Sequence, residues 1–198
     1  MIRSKRAAFL FLAVVLVLAM NSLGALASTD DTTSKGYQLI DGNVCDLSGN
    51  VLIEMRNGFT PDGYALDPNF KVSYPVKSEA IVPYSATATE LYNGTMSLAL
   101  NTDGNQGKQV GESFKATSEE PDVVCFYRSG QPSGVNFAVV NTTRDTLVTF
   151  VPNVQPGEQT DPIPTYNSGR PSDNYRVKAS AEGSAGADGL ARLKVVLQ

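Results

Sequence analysis

Acidic and amide side chains near the middle of the chain have the spacing of a calcium-binding loop. Asn101, Asp103 and Asn105 alternate, and Glu112 stands at the twelfth position counted from Asn101. Oxygen ligands at loop positions 1, 3, 5 and 12 are what an EF-hand loop offers to Ca²⁺. The sixth position is Gln106 instead of the required glycine, and no helical pattern flanks the loop. The residues therefore favour an ordinary Asn/Asp/Gly turn, with calcium binding as the alternative hypothesis.

The sequence contains no histidine. Catalysis by Ser-His-Asp or Cys-His groups, histidine general bases and most catalytic zinc sites are therefore excluded. A pair of carboxylates for glycoside hydrolysis stays open, and the candidate acids are Glu54, Glu90, Glu112, Glu119 and Glu120. The chain also lacks tryptophan, the usual platform for sugar rings. We therefore expect a protein that is not an enzyme and that needs no cofactor.

Two sequons and several tyrosines mark candidate surface positions. Asn93 and Asn141 each begin an N-glycosylation acceptor pattern, Asn-Gly-Thr and Asn-Thr-Thr. Tyrosine offers an apolar ring and a hydroxyl, which suits contact with a ligand. The candidate ligand contacts are Tyr64, Tyr84 and Tyr166. Tyr74 and Tyr127 fit half-buried strand positions better.

The segment from Met1 to Ala27 has the organisation of a secretory signal peptide. Three basic residues precede an apolar run at positions 7–20, and the segment ends Ala25-Leu26-Ala27. Signal peptidase accepts small residues three and one before the cut, so we expect cleavage after Ala27. The apolar run is shorter than the roughly 20 residues of a spanning helix, which disfavours an uncleaved anchor. We therefore expect the protein to be secreted, extracellular or at the cell surface.

Cleavage would leave the chain from Ser28 to Gln198. It would remove three of the 16 basic residues and none of the 20 acidic ones, giving a net charge of 13 − 20 = −7. A chain of that size fits one domain. Mild acidity without a basic cluster argues against nucleic acid and, after cleavage, against a membrane surface as partners. Residues 28–36 are small and polar, and they indicate a flexible leader.

The segment from Pro121 to Arg128 predicts a strand buried between two layers. With a period of two, Val124 and Phe126 face one way, and the apolar residues on either side of them face the other. The strand carries Cys125, and the only other cysteine is Cys45. Two cysteines in a secreted chain most simply form one disulfide. The alternative is a pair of free, buried thiols.

The rest of the chain alternates between short extended segments and turn signals. Asn93-Gly94 predicts a two-residue type I′ turn and thus a hairpin over residues 86–100. Residues 152–173 contain five prolines, which indicates a long loop, and residues 174–198 predict a C-terminal hairpin. About ten to twelve strands without a helical stripe are typical of an all-β fold. The predicted fold is an antiparallel β-sandwich, Ig-like or jelly-roll-like, formed as a single domain by residues 37–198.

These features favour a secreted, non-enzymatic structural or surface protein, such as a subunit of a matrix, filament or cell surface. One hypothesis is self-association, in which the C-terminal strands at 174–198 pair with a neighbouring subunit. The alternative function is an extracellular binding module for a glycan or protein ligand.

Overall fold

The computed structural model describes residues 35–77, 88–99, 107–116, 122–165, 172–182 and 189–198. These residues form fourteen β-strands and no helix. The predicted signal peptide and residues 28–34 of the predicted leader lie outside the described residues. The strands are β1 Gln38–Ile40, β2 Asn43–Cys45, β3 Val51–Ile53, β4 Ala65–Val72, β5 Pro75–Lys77, β6 Thr89–Leu98, β7 Lys108–Lys115, β8 Asp122–Gly130, β9 Gly134–Asn141, β10 Thr146–Val154, β11 Glu158–Thr160, β12 Ile163–Pro164, β13 Asn174–Glu182 and β14 Gly189–Leu197.

The strands form three sheets. The small sheet has the order β1-β2-β3, the middle sheet β4-β10-β9-β13-β7, and the outer sheet β5-β11-β8-β14-β6 with β12 added beside β8. The ladders are antiparallel, except that β4 pairs with β10 in parallel. The all-β prediction is therefore confirmed, and the fold is β-sandwich-like.

Strand β9 shows how the three sheets are layered. Every one of its residues is buried, so both of its faces contact other apolar groups. Phe137 belongs to a cluster with Leu193 of the outer sheet. Its neighbour Ala138 belongs to a second cluster with Val44 of the small sheet. Because adjacent strand residues point to opposite faces, the middle sheet lies between the small sheet and the outer sheet.

The predicted buried strand is confirmed as β8. Residues Val123 to Tyr127 are each at most 4 % exposed. Cys125 and Tyr127 belong to the cluster shared with the middle sheet, whereas Val124 and Phe126 belong to a cluster on the opposite face. Tyr127 donates its hydroxyl to the Pro132 carbonyl over 2.7 Å, so the buried ring leaves no unpaired polar atom.

One glycine allows the edges of the two large sheets to approach each other. Gly111 of β7 has a φ of 72°, and a Cβ at this position would lie 2.4 Å from the Leu91 carbonyl oxygen of β6. A side chain would therefore be strained by the backbone conformation and would also clash with the neighbouring strand. The sequence meets both demands with glycine, and β6 and β7 come into contact there.

The predicted disulfide is wrong, because Cys45 and Cys125 are both free and buried. Cys45 lies in the small sheet, on one side of the middle sheet, and Cys125 lies on the other side, between the middle and outer sheets. Packed sheets are about 10 Å apart, whereas the Cα atoms of a disulfide are at most about 7 Å apart. The intervening sheet therefore prevents the bridge.

The two thiols should be protected in the folded protein and free once it unfolds. Burial raises the pKa of both thiols, which lowers the fraction of reactive thiolate at neutral pH. We expect two labels per chain when a maleimide is added to unreduced, denatured protein. Native protein at pH 8 should react far more slowly. Mass spectrometry measures both values. If the denatured chain takes up label only after reduction, the two cysteines are bonded and the disulfide prediction is correct.

The predicted Asn93-Gly94 hairpin is also wrong. β6 runs without interruption through Asn93 and Gly94, which pair with Lys194 and Leu193 of β14. A Cβ on Gly94 would lie 3.1 Å from the Tyr92 hydroxyl oxygen, so the Tyr92 side chain covers the glycine. Pairing with β14 along the whole of β6 overrides the local turn preference of the Asn-Gly dipeptide.

The C-terminal strands form as predicted but do not pair with each other. β13 lies between β9 and β7 in the middle sheet, and β14 lies between β8 and β6 in the outer sheet. The hairpin at 174–198 is therefore replaced by two strands in different layers. The predicted Pro-rich loop at 152–173 includes the short strands β11 and β12, which pair with β5 and β8.

Candidate interaction surfaces

Most of the predicted calcium ligands cannot be placed. Asn101, Asp103 and Asn105 lie outside the described residues, and Glu112 is an exposed residue of β7. Within the described part of the chain, no three acidic or cysteine side chains come together in a way that could hold a metal ion. The calcium loop stays a hypothesis.

Of the three tyrosines predicted to contact a ligand, Tyr64 lies in the described residues, whereas Tyr84 and Tyr166 lie outside them. The Tyr64 ring is half-buried, and the Lys178 ammonium lies 5.2 Å from its centroid. Lys178 also forms an ion pair with Asp62. Burial raises the pKa of the Tyr64 hydroxyl. These contacts hold the loop of residues 60–64 against β13, and the ligand contact at Tyr64 stays a prediction.

The two sequons lie in different environments. Asn93 is exposed on β6, and its amide donates to the Glu90 carboxylate over 3.3 Å. The Asn141 side chain is fully buried, and its amide nitrogen donates to Asp173 over 2.8 Å. A glycan on that nitrogen would displace the bond to Asp173. Glycosylation at either asparagine stays a prediction.

Exposed large hydrophobic side chains gather at the small sheet. We call this group the apolar surface, and its members are Leu39, Ile40, Leu47, Val51 and Phe59, which are between 39 % and 55 % exposed. Four of the five lie within one run of residues 39–51, and the fifth follows β3 closely in sequence. The same sheet packs on the middle sheet through Val44 and Ile53. Exposed apolar side chains that are close together in the chain and belong to one small sheet favour a contact surface.

A groove of about 510 Å³ adjoins the apolar surface. Val51, Leu52, Tyr74 and Pro152 supply its apolar walls, and the Tyr74 hydroxyl donates to the Gly36 carbonyl. Its carboxylates already have partners: Asp46 accepts three hydrogen bonds within its own turn, and Glu182 accepts one from Asn136. The hydrogen bonds from Asn50 hold the pKa of Asp46 below its usual value. The groove therefore extends the apolar surface and does not offer unpaired acids for metal binding.

A second surface lies on the outer sheet, on the face away from the middle sheet. It is a depression of about 310 Å³ lined by Asn93, Arg128, Ser129, Arg192 and Lys194, which we call the basic depression. Arg192 pairs across β14 with Thr95 and Ser129, and Lys194 pairs with Asn93 and Phe126. Strand alternation predicts that Arg192 and Lys194 share a face. The sequence does not signal that Arg128, far earlier in the chain, joins them.

Comparison with models of known protein families gave no match, and comparison with curated proteins gave none either. No described segment forms a helix with the length and hydrophobicity to cross a membrane. The surfaces of this chain are therefore the features that bear on its function.

Proposed function

We propose that this protein is a secreted, non-enzymatic structural or surface subunit, which assembles into a matrix, a filament or a cell-surface layer. The observation that supports the proposal is the apolar surface of the small sheet. Secretion rests on the signal-peptide pattern from Met1 to Ala27. For the finer fold class, we keep the proposal of an Ig-like or jelly-roll-like sandwich.

The apolar surface favours association because exposed apolar side chains gain free energy when they leave water. Each square ångström of apolar area buried contributes about 25 cal/mol. Exposed hydrophobic residues that occur singly need no explanation, whereas a group of them marks an interaction site. In the described residues, Tyr74 and Leu190 are the two further large hydrophobic side chains with high exposure, and Tyr74 borders the adjoining groove.

The small sheet also offers strand edges for association. β1 and β3 are its outermost strands, and Leu39 of β1 is 51 % exposed. An unpaired edge can accept a strand from another chain, which adds main-chain hydrogen bonds to the apolar contact. The C-terminal strands are less suited to exchange, because each has a partner on both sides within its own sheet. Self-association is therefore proposed through the small sheet.

The test compares the assembly of three versions of the processed protein. Wild-type protein should form oligomers or filaments as its concentration rises. The double substitution Leu39→Thr with Val51→Thr places β-branched residues that suit a strand and removes apolar area, so assembly should need at least about tenfold more protein. Leu190→Thr is the matched control, since Leu190 is 53 % exposed on β14 of the outer sheet.

Light scattering measures the assembly, and electron microscopy identifies filaments. The control should assemble as the wild type does. A wild-type chain that stays monomeric at every concentration, or a double variant that assembles equally well, would contradict the proposed role of the apolar surface.

The alternative function, an extracellular binding module, is favoured by a different observation, the basic depression.

A further inference from the structure

The basic depression concentrates positive charge on a chain that is acidic as a whole. The full sequence has 16 basic and 20 acidic residues, yet three cations line this one depression. Arg128 and Arg192 are exposed, and neither forms an ion pair with another described residue. Lys194 pairs with Glu90 over 3.2 Å. Among the described residues, the two arginines have no carboxylate partner, which leaves an excess of positive charge in the depression.

The cations of the basic depression repel one another. Arg192 stands opposite Ser129 and Lys194 opposite Phe126, so Arg128 is a diagonal neighbour of both, and like charges on neighbouring strands repel each other. Arg192 and Lys194 stand two positions apart on the same face of β14, and Arg128 approaches from β8. An anion bound between the three would convert this repulsion into attraction.

The Arg128 side chain is held in position. Its guanidinium carbon lies 4.7 Å from the centroid of the Phe126 ring, and Phe126 is only 4 % exposed, so the ring is a fixed platform. Stacking on an aromatic face restricts the guanidinium before any ligand arrives. An arginine fork fits the two oxygens of a carboxylate or sulfate.

The lining of the depression includes neutral polar groups as well as cations. The Asn93 amide and the Ser129 hydroxyl line it beside the three basic residues. Amides and hydroxyls hydrogen-bond the hydroxyl groups of sugars. The volume of about 310 Å³ is at the lower end of the range for small-ligand sites. A single acidic sugar unit matches both the size and the polarity.

We propose that the basic depression binds an acidic sugar unit, carrying a carboxylate, of an anionic polysaccharide. The net negative charge of the rest of the chain disfavours densely charged polymers such as nucleic acid, and also anionic membranes, whose charge would extend beyond the depression. In a polysaccharide with one charge per sugar, a single charged group can bind the three cations without placing further negative charge against the acidic remainder of the chain. This site is independent of the apolar surface, since it lies on the outer sheet.

The test measures binding of the processed protein to alginate oligosaccharides by calorimetry. Wild-type protein should bind, and binding should weaken as salt rises from about 20 to about 200 mM because the contacts are ionic. The double substitution Arg128→Gln with Arg192→Gln should reduce affinity at least about tenfold. Glu90→Gln releases Lys194 from its ion pair and should increase affinity about threefold. Both arginines are exposed, so the double variant should stay folded, which circular dichroism verifies.

Three controls decide between outcomes. Lys115→Gln removes one positive charge at an exposed position of β7 in the middle sheet and should leave binding unchanged. Neutral dextran should not bind, which would exclude general affinity for sugars. Equal or tighter binding of duplex DNA or of phosphatidylserine vesicles would overturn the assignment to a polysaccharide. Absence of alginate binding by wild-type protein, or equal loss in Lys115→Gln and the arginine variant, would overturn the site itself.

The result is separable from the test of assembly. The arginine variant should assemble as wild type does, and the Leu39→Thr, Val51→Thr variant should retain alginate binding. Loss of both properties in either variant would overturn their independence.

Discussion

Replacing Phe137 with alanine should lower the free energy of unfolding by about 3–5 kcal/mol. Phe137 is fully buried on β9, and it pairs with Val151 on one side and with Ala179 on the other. Its ring belongs to the cluster that joins the middle and outer sheets. Truncation removes the ring from this cluster and leaves a cavity. β9 cannot move to close it, because it is hydrogen-bonded to a neighbouring strand on each side. Urea unfolding followed by circular dichroism measures the loss.

The matched control for this truncation is Phe59→Ala. Phe59 is 50 % exposed at the apolar surface, so the same change of side chain should cost less than about 1 kcal/mol. If the Phe137→Ala chain does not fold, Phe137→Leu should fold with an intermediate loss. Equal losses at Phe137 and Phe59 would mean that β9 is not the centre of the layered structure.

Local sequence pattern predicted the strands well because each strand is defined by the alternation of its own residues. Apolar residues alternate at positions 135, 137 and 139, which lie in β9, and the two strands predicted within residues 174–198 are present as β13 and β14. The burial of β8 on both faces was also predictable, since residues 123–127 are apolar at every position. These properties depend on neighbours along the chain.

The pairing of the strands was not predictable in the same way. Asn93-Gly94 carries a strong hairpin signal, but this preference amounts to little beside a continuous ladder with β14, which lies at the far end of the chain. The disulfide prediction was wrong for the same kind of reason. Nothing near Cys45 indicates that the middle sheet separates it from Cys125. Both the hairpin and the disulfide predictions failed because contacts between segments far apart in the sequence determine the structure there.

The two candidate surfaces differ in how far each could be predicted from residues that are neighbours in the sequence. The apolar surface falls largely in residues 39–51, so its composition is visible in the sequence, but the exposure of its side chains depends on how the small sheet packs on the middle sheet. The basic depression combines β6, β8 and β14. Its charge is visible only after the fold places Arg128 beside Arg192, which is why the sequence indicated no basic cluster.

Replacing Asp173 with alanine should lower the free energy of unfolding by about 2–4 kcal/mol. Asp173 is 4 % exposed and accepts hydrogen bonds from the Asn141 amide at 2.8 Å and from the Arg144 guanidinium at 2.7 Å. Removing the carboxylate would leave the buried Asn141 amide without this acceptor, and an unsatisfied buried donor costs about 1–3 kcal/mol. Loss of the bond to Arg144 contributes less to the fall in the free energy of unfolding, because the Arg144 side chain is 39 % exposed and water can replace the lost partner.

Two further variants distinguish the network from a general effect of charge. Asp173→Asn keeps one acceptor oxygen at the same place, so its loss should be smaller than that of Asp173→Ala. Asp161→Ala removes an exposed carboxylate that precedes β12 and should change stability by less than about 0.5 kcal/mol. Urea unfolding of the three variants at pH 7 gives the comparison. Equal stability of the Asp173→Ala and Asp161→Ala proteins would contradict this role, whereas the expected order would show that the buried carboxylate joins the end of β9 to the start of β13.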